Sequence, residues 1–318
     1  MTWLLTGGAG YIGAHVLRAF GAAGLPVVVL DDLSTGDPQT VPEAVPLVRG
    51  SVTDPDAVRA VLADHEITAV LHLAAKKAVG ESVAMPLTYW WENAEGTRCL
   101  LQACVEAGVE TFLYSSSAAV YGMPDVDEVT EDSPTRPMSP YGETKLVGEW
   151  MLRDAARAHG LRWIALRYFN VAGAGAPELA DRSVSNLIPL ALRALTEGRP
   201  PQVFGSDYPT RDGTCIRDYI HVLDLAEAHV AAARALEGGA TFGVYNVGRG
   251  EGSSVLEVLD AVREQTGRDF TPDLVGRRAG DPARLVASAG RIAAELGWSA
   301  RLSLADMVAS AWAAWQRH

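Results

Sequence analysis

At 318 residues, the chain is long enough to bury a large core, in two domains or in one domain with an added lobe. Its 48% hydrophobic and 21% charged residues are typical of a globular protein and exclude a disordered chain. The formal net charge of −12 disfavours nonspecific nucleic-acid binding, although it does not exclude a locally basic site for a small anion.

Cysteine content and hydropathy predict a cytoplasmic protein. Cys99, Cys104 and Cys215 have no metal-ligand spacing, so no metal is expected, and their odd number suits no disulfide framework. The first predicted strand begins at residue 3, which leaves no room for a signal peptide. No apolar run reaches the roughly 18 residues of a membrane helix.

A glycine-rich turn follows the first predicted strand. Residues 3–6 are a short apolar run, and Gly7, Gly10 and Gly13 then recur every third residue ahead of a predicted helix over residues 14–24. This spacing allows a tight turn and close approach of a diphosphate, whose charge the N–H groups at the helix start receive. Glycines can also simply form a turn, but the order strand, glycines, helix predicts a dinucleotide site.

The second predicted strand, residues 27–30, ends at Asp31. An acid about twenty residues past the glycines is where a ribose 2′-hydroxyl is held. A carboxylate at this position would repel a 2′-phosphate, so Asp31 favours NAD over NADP.

Alternating strands and helices continue to about residue 168. Asp54 is interpreted as the N-cap of a helix rather than as a ligand, and Cys99 and Cys104 as apolar packing in another helix. The alternation predicts an α/β fold with a doubly wound parallel Rossmann sheet, whose ligands lie at the carboxyl ends of the strands. The predicted strands are residues 45–50, 69–73, 111–114 and 163–167, and the predicted helices start near residue 54, span residues 92–107 and start near residue 139.

Beyond residue 171 the alternation fades, although strand and helix patterns return at residues 218–236 and 245–247. We therefore predict a second lobe interleaved with the first. Residues 1–171 and 214–249 would form the NAD-binding Rossmann domain, and residues 172–213 and 250–318 a smaller substrate lobe. The apolar stripe of the last predicted helix, residues 304–317, is typical of core packing.

Tyr141 and Lys145 are four residues apart at the start of a predicted helix, so their side chains share one face. A phenol is a poor base at neutral pH, but a nearby ammonium and the positive ring of oxidised nicotinamide would lower its pKa. A Tyr/Lys pair is undemanding in itself. Here, however, a serine cluster that includes Ser117 precedes it at the end of a sheet strand, where Ser117 could hydrogen-bond a substrate hydroxyl.

Three stretches, residues 7–13, 115–122 and 139–145, resemble the extended short-chain dehydrogenase/reductase superfamily. Residues 77–82, 166–170, 207–214 (DYPTRDGT) and 217–222 are more specific and resemble the UDP-galactose 4-epimerase (UDP-glucose 4-epimerase) family. The resemblance extends from residue 2 to the last helix. It implies NAD-dependent interconversion of UDP-glucose and UDP-galactose through a transient 4-keto sugar, by a homodimer that pairs through the helices near residues 92–107 and 143–158.

The resemblance also implies the site residues. The catalytic residues would be Tyr141, Lys145 and Ser117. The NAD-binding residues would be Gly7, Gly10, Tyr11, Ile12, Gly13, Asp31, Asp32, Ser51, Val52, Leu73, Ala74, Ala75, Lys77, Asn93, Tyr141, Lys145 and Phe169. Ser117 and Tyr141 would face the hexose of the UDP-sugar, and the residues holding its UDP moiety would be Asn170, Asn186, Leu187, Phe204, Arg217, Arg278 and Asp281.

Two positions depart from the family pattern. Ser51 replaces the usual acid that meets the adenine, which weakens that contact without removing it. Leu285 is intermediate between the bulky and small residues that close the sugar pocket in relatives, so acceptance of N-acetylated UDP-sugars stays open.

Three alternatives follow from the same residues. Epimerisation of another UDP-sugar, such as a UDP-uronate or UDP-pentose, fits the same fold. A 4,6-dehydratase needs an acid and a base directly after the serine, where this chain has Ala118 and Ala119. A non-catalytic NAD-binding protein would not need Tyr141, Lys145 and Ser117 together. His221 is interpreted as structural, and Arg211 and Arg277 as surface charges.

Overall fold

The computed structural model describes residues 1–183, 185–240, 242–278 and 280–317. Its helices are α1 (Tyr11–Ala22), α2 (Pro55–Asp64), α3 (Val79–Ala84), α4 (Pro86–Tyr89), α5 (Gly96–Ala107), α6 (Pro140–His159), α7 (Leu187–Thr196), α8 (Val222–Glu237), α9 (Val255–Thr266), α10 (Gly290–Leu296) and α11 (Leu304–Trp315). Its strands are β1 (Trp3–Thr6), β2 (Val27–Asp31), β3 (Leu47–Arg49), β4 (Ala69–His72), β5 (Thr111–Ser117), β6 (Arg162–Tyr168), β7 (Asn170–Ala172), β8 (Gln202–Phe204), β9 (Ile216–His221), β10 (Phe242–Val247), β11 (Gly252–Ser254), β12 (Asp273–Val275) and β13 (Arg284–Leu285).

Of the described strands, seven form one parallel sheet in the order β10-β6-β5-β4-β1-β2-β3. The chain first builds outward from β1 to β3 and then returns to place β4 on the other side of β1. The order reverses between β1 and β4, so the crevice at the carboxyl ends of these two strands is the expected ligand site. The predicted fold class is confirmed.

Helices cover both faces of this sheet because each helix presents an apolar stripe to it. On one face, α1 contributes Val16 and Phe20 and α8 contributes Leu225 to one core. On the other, Val58 of α2 and Leu152 of α6 join a second core. The resulting three layers leave the strand ends open as the place for a site. Among the described helices, none is long and apolar enough to cross a membrane.

A smaller set of elements lies beyond the large sheet. Strand β9 pairs with β7, β11 and β13, and β8 pairs with β12. Helices α7, α9 and α11 share a third core that includes Leu192, Leu259 and Met307. The predicted core packing of the last helix is therefore confirmed. The predicted division of the chain stays a prediction: β9 belongs to the smaller sheet, whereas α8 and β10, which follow it, pack against or join the large one.

Several element boundaries differ from the predicted ones. Strand β5 continues through Ser117, because Ser115, Ser116 and Ser117 pair with the end of β6. A π-helical segment, Trp90–Glu95, precedes α5 where one continuous helix was expected. Helix α9 was not predicted, although the capping box between Ser254 and Glu257 marks its start.

Candidate active site

The glycine turn between β1 and α1 lies at the switch point of the sheet. Gly7 has a φ of +76°, and a Cβ on it would lie 2.7 Å from the Ala74 nitrogen. A Cβ on Gly13 would lie 2.2 Å from the Gly7 oxygen. Gly10 differs, because its φ of −79° suits any residue and a Cβ there would meet only the Gly7 oxygen, at 3.4 Å. Close approach of a ligand explains Gly10 better than internal packing does.

Asp31, at the end of β2, is held beside this turn. Its carboxylate accepts hydrogen bonds from the Ala9 and Leu33 nitrogens, both at 2.9 Å. Burial raises the pKa of Asp31, and these two bonds act in the opposite direction. The neighbouring Asp32 is exposed and accepts from the Ser34 nitrogen at 2.8 Å. The carboxylate predicted to meet a ribose is therefore fixed by the backbone of the glycine turn.

The other predicted cofactor residues follow strand ends or begin helices near the same edge. Ser51 and Val52 follow β3, and the Ser51 Oγ lies 2.8 Å from the Thr53 Oγ1. Tyr11 opens α1 and donates to the Gly173 oxygen at 2.6 Å. Lys77 lies over the Tyr11 ring at 5.9 Å. Ile12 follows in the first turn of α1, and Leu73, Ala74 and Ala75 follow β4.

Ser117, Tyr141 and Lys145 come together at the carboxyl end of β5. Ser139 caps α6 through the Gly142 nitrogen at 3.2 Å, which places Tyr141 and Lys145 in the first two turns, both buried. The Ser117 hydroxyl lies near the Tyr141 phenol and acts to lower its pKa. The Lys145 Nζ donates to the Ser115 oxygen at 2.8 Å. A phenol, a hydroxyl and an amine thus lie together in one buried site.

The pKa values of this group follow from burial. Burial raises the pKa of Tyr141, and the Ser117 hydroxyl opposes that rise. Burial also lowers the pKa of Lys145 to about 8. The sequence predicts that Lys145 and a nicotinamide ring lower the pKa of Tyr141, but among the protein's own groups only Ser117 opposes the rise caused by burial. The positive charge of bound NAD would therefore have to offset that rise in the Tyr141 pKa.

Asn93 is the most constrained of the predicted cofactor residues. Its Oδ1 accepts from the Lys76 nitrogen at 2.8 Å, and its Nδ2 donates to the Lys76 oxygen at 2.9 Å. The same Nδ2 donates to the Thr144 Oγ1 at 3.2 Å. Asn93 therefore joins the loop after β4 to the catalytic helix.

Four of the predicted substrate residues form two contacting pairs. The Arg217 guanidinium lies 3.4 Å from the Asp281 carboxylate. The Arg278 guanidinium lies 3.7 Å from the centre of the Phe204 ring. Guanidinium groups bind phosphate oxygens in two-point fashion, so two of them in one lobe suit a diphosphate.

Asp181 links the two predicted sets, and sequence reasoning missed it. Its buried carboxylate lies 3.9 Å from the Lys77 Nζ and accepts from the Asn186 Nδ2 at 3.2 Å. Asn186 is the N-cap residue of α7, and Leu187 is the first residue of that helix. Asp181 follows an irregular stretch without a motif, so no sequence signal could have identified it.

An apolar cluster joins α6 to segments that follow β6 and β13. Phe169, a predicted cofactor residue, packs in this cluster with Leu146 of α6 and Ala287. Leu285, the position that varies among relatives, packs against the same cluster. Asn170, a predicted substrate residue, begins β7 immediately after Phe169.

Three secondary interpretations are also settled by contacts. His221 caps α8 through the Leu223 nitrogen at 3.1 Å and contacts the Ser310 Oγ at 3.0 Å, which confirms its structural role. Arg277 pairs with Asp207 at 2.7 Å, and Arg211 pairs with Glu257, both at the surface.

A parallel sheet with a glycine turn at its switch point, and a buried Ser, Tyr and Lys beside a strand end, defines a nicotinamide-dependent enzyme of the short-chain dehydrogenase/reductase type. The sequence profile of the NAD dependent epimerase/dehydratase family matches residues 3–248. The chain belongs to this family.

Similar proteins agree with this assignment. A UDP-glucose 4-epimerase of Azospirillum brasilense is 47% identical over 318 residues, covering 99% of this chain and 91% of the relative. The structure of a UDP-glucose-4-epimerase from Stenotrophomonas maltophila, with bound NAD and formylated UDP-arabinopyranose, is 42% identical with a TM-score of 0.94, covering 100% of this chain and 98% of that one. A UDP-glucose 4-epimerase from Bifidobacterium longum, in complex with NAD+ and UDP, is 38% identical with a TM-score of 0.92 at the same coverage.

The described residues fit NAD. The open side of Gly10 and the uncapped start of α1 suit a diphosphate, and no acidic side chain occurs in residues 11–14 to oppose it. The Asp31 carboxylate suits a ribose diol.

Proposed function

We propose that this protein is a UDP-glucose 4-epimerase, which interconverts UDP-glucose and UDP-galactose with NAD as its cofactor. The observation that carries the proposal is the buried group of Ser117, Tyr141 and Lys145 at the carboxyl end of β5, in the same parallel sheet whose β1 ends at the glycine turn. An enzyme that removes and restores hydrogen at one carbon needs a base at that carbon and a cofactor beside it.

Tyr141 acts as the base in this proposal. Its phenolate takes the proton of the sugar 4-hydroxyl and later returns it. Ser117 hydrogen-bonds the same hydroxyl and Tyr141, which orients both for proton transfer. Lys145 places a cation in the pocket, where low polarity strengthens its effect. NAD, when bound, supplies reversible oxidation at C4, which passes through a 4-keto sugar.

The smaller lobe holds the nucleotide. Arg217 and Arg278 bind the diphosphate, Phe204 packs on the base, Asp281 binds the ribose, and Asn170, Asn186 and Leu187 complete the set. Epimerisation needs the hexose to turn over while the UDP stays in place. Strong binding at the nucleotide and weak binding at the hexose meet this requirement, because remote binding energy anchors the reacting sugar.

A coupled assay tests the proposal. Purified protein should convert UDP-galactose to UDP-glucose without added NAD, since the cofactor is regenerated in each turnover. Tyr141→Phe should lower kcat by at least about a hundredfold, the range of general-base contributions, while UDP binding by calorimetry stays within about twofold. Absence of product even with NAD supplied would refute the function, and near-normal turnover by Tyr141→Phe would refute the base.

Other UDP-sugars are the main alternative substrates. The partly buried Leu285 lies where relatives vary, beside the Phe169 cluster. UDP-GalNAc and UDP-glucuronate in the same assay decide the substrate range, because each adds a group at a different carbon of the hexose. If the kcat/KM for either of these sugars is higher than that for UDP-galactose, that sugar is the preferred substrate.

We propose a homodimer that forms through α6 and the elements packed against it. Trp150 of α6 is 47% exposed, and Val83, Leu87 and Trp91 on neighbouring elements are also exposed. An apolar surface on several packed elements is typical of an interface between copies. A second copy is the occupant we favour, because helix faces such as α6 can pair about a twofold axis.

Sedimentation of Trp150→Asp tests this assembly. The variant should sediment as a monomer at concentrations where the unmodified protein is a dimer. Leu274→Asp is the matched control, because Leu274 is also exposed but lies on β12 of the smaller lobe. Dimerisation of Trp150→Asp at unchanged affinity would contradict the proposed surface.

We also propose a cytoplasmic location, since Cys99, Cys104 and Cys215 are free and buried.

A further inference from the structure

A series of buried hydrogen bonds runs from the glycine turn toward the catalytic helix. Thr6 is the last residue of β1 and directly precedes Gly7. Its Oγ1 lies 2.7 Å from the His72 Nδ1 and accepts from the Ala74 nitrogen at 3.3 Å. The His72 Nε2 lies 3.0 Å from the Thr97 Oγ1. The carboxyl ends of β1 and β4 are thus joined to α5.

The series continues from α5 to Tyr141. The Thr97 Oγ1 donates to the backbone carbonyl oxygen of Asn93 at 2.7 Å. The Asn93 side chain donates to the Thr144 Oγ1 at 3.2 Å, and that hydroxyl donates to the backbone carbonyl oxygen of Tyr141 at 2.8 Å. Every side chain in the series is buried.

Donor counting fixes the direction of these bonds. Thr97 has one hydroxyl proton, which goes to the Asn93 oxygen, so Thr97 must accept from the His72 Nε2–H. The neutral imidazole then has an unprotonated Nδ1, which accepts the hydroxyl proton of Thr6. Each threonine hydroxyl donates its single proton to one acceptor. Replacing one residue of the series therefore leaves a polar atom of its neighbour without a hydrogen-bond partner in the buried interior.

We propose that His72 and Thr97 are positioning residues that set the distance between the diphosphate turn and the helix carrying Tyr141 and Lys145. This inference rests on the proposed function, because only bound NAD would extend between these two places. Thr97 acts through Asn93, whose side chain joins the loop after β4 to α6. Neither His72 nor Thr97 touches the sugar.

Core stability is the competing explanation for these polar groups, and it predicts a different outcome. If they serve stability alone, their removal lowers the melting temperature and leaves NAD affinity intact. If they position the cofactor elements, NAD affinity and kcat fall together while KM for UDP-galactose is preserved, because the UDP contacts lie in the other lobe.

Thr97→Val and Thr97→Ser are the decisive pair. Valine keeps the shape and removes the hydroxyl, whereas serine keeps the hydroxyl. Thr97→Val should lower NAD affinity and kcat each by at least about fivefold, with KM within about twofold, and Thr97→Ser should keep all three within about twofold. NAD affinity is measured by calorimetry on cofactor-stripped protein without sugar, so this arm is informative even where turnover is absent.

Thr111→Val is the matched control. Thr111 is a buried threonine at the opposite end of β5, where its Oγ1 accepts from Arg162 at 2.7 Å. Thr111→Val should lower the melting temperature and should leave NAD affinity and kcat unchanged. If Thr97→Val fails to fold, Thr6→Val carries the same expectation from the other end of the series. A Thr97→Val protein that behaves like Thr111→Val would overturn the proposal.

Discussion

The glycines of the turn between β1 and α1 are constrained for different reasons. Gly13 has no room for a side chain, because a Cβ would lie 2.2 Å from the Gly7 oxygen. Gly10 has an ordinary backbone conformation and an open side. The same residue type therefore serves packing at one position and, on our proposal, ligand approach at the other.

Alanine at these two positions should separate folding from cofactor binding. Gly13→Ala should lower the free energy of unfolding by at least about 2 kcal/mol, because the clash is with backbone that cannot move aside. Gly10→Ala should change stability by less than about 1 kcal/mol and lower NAD affinity by at least about tenfold. Chemical denaturation and calorimetry with NAD measure the two effects.

Gly21→Ala is the control within the same helix. A Cβ there meets nothing within 4 Å, so the change should stabilise the helix by up to about 1 kcal/mol without affecting NAD. Normal NAD binding by a folded Gly10→Ala protein would show that the diphosphate does not approach this glycine.

Sequence reasoning could point to individual candidate residues where a local pattern carries the chemistry. The glycine spacing, Asp31 and the Tyr141/Lys145 pair could all be identified from short windows. Asp181 and His72 could not, since their roles depend on partners far along the chain, such as Thr6, 66 residues from His72. The pKa of Tyr141 likewise depends on burial, which no spacing reveals.

The sequence predicts a helix or strand best when the element is long and when capping residues mark where it begins or ends. Helix α2 begins where Asp54 accepts from two backbone nitrogens and Pro55 takes the first position, as predicted. Helix α9 has an equally clear capping box and was overlooked only because the surrounding alternation had faded. Strands β8, β11, β12 and β13 have two or three residues each, so their periodicity is too short to detect.

Asp218 of β9 holds three segments of the chain together. Its buried carboxylate accepts from the backbone nitrogens of Arg249 and Gly250 at 2.9 Å and of Ala287 at 3.2 Å. Burial raises the pKa of Asp218 to about 6, and these bonds oppose that rise. Because Ala287 belongs to the same apolar cluster as Phe169 and Leu146, Asp218 supports the packing beside α6 at the site.

Asp218→Asn should therefore weaken the smaller lobe. The amide has one acceptor oxygen in place of two and turns an NH₂ group toward backbone donors, which should cost about 2–4 kcal/mol of unfolding free energy. KM for UDP-galactose should rise while NAD affinity stays within about twofold, because the glycine turn is remote. Urea denaturation and steady-state kinetics measure both.

Asp154→Asn is the control for Asp218→Asn. Asp154 is exposed on α6, so its replacement should change stability by less than about 0.5 kcal/mol. Unchanged stability and KM in Asp218→Asn would contradict the assigned role of the β9 carboxylate.

Among the described residues, burial lowers the pKa of four buried histidines, His221 among them, and lowers it furthest for three. These three stay neutral at pH values where an unfolded chain would protonate them. Burial lowers the pKa of His15 and of His229 to about 4, and that of His72 to about 3. They lie in different parts of the fold, on α1, on α8 and at the end of β4. Together they make stability depend on pH.

Stability should fall as the pH falls from about 6.5 toward 4, because the unfolded chain gains protons that the folded chain rejects. Each histidine costs about 1.4 kcal/mol per pH unit in this window. The raised pKa of Asp218 acts in the opposite sense below about 6, since the folded state then holds the extra proton. The net loss should be about 3 kcal/mol per pH unit, measured by urea denaturation at saturating NAD and constant ionic strength.

Replacing one buried histidine tests the assignment directly. His229 donates from Nδ1 to the Leu225 oxygen at 2.9 Å and lies 3.2 Å from the Ser115 Oγ, so His229→Gln removes a titrating group while keeping polar atoms in place. Its stability should be lower at neutral pH but should decline less steeply on acidification, by about 1.4 kcal/mol per pH unit. His159→Gln, at an exposed position near the end of α6, should leave the slope unchanged. A slope in His229→Gln equal to that of the unmodified protein would exclude His229 as a source of the acid sensitivity.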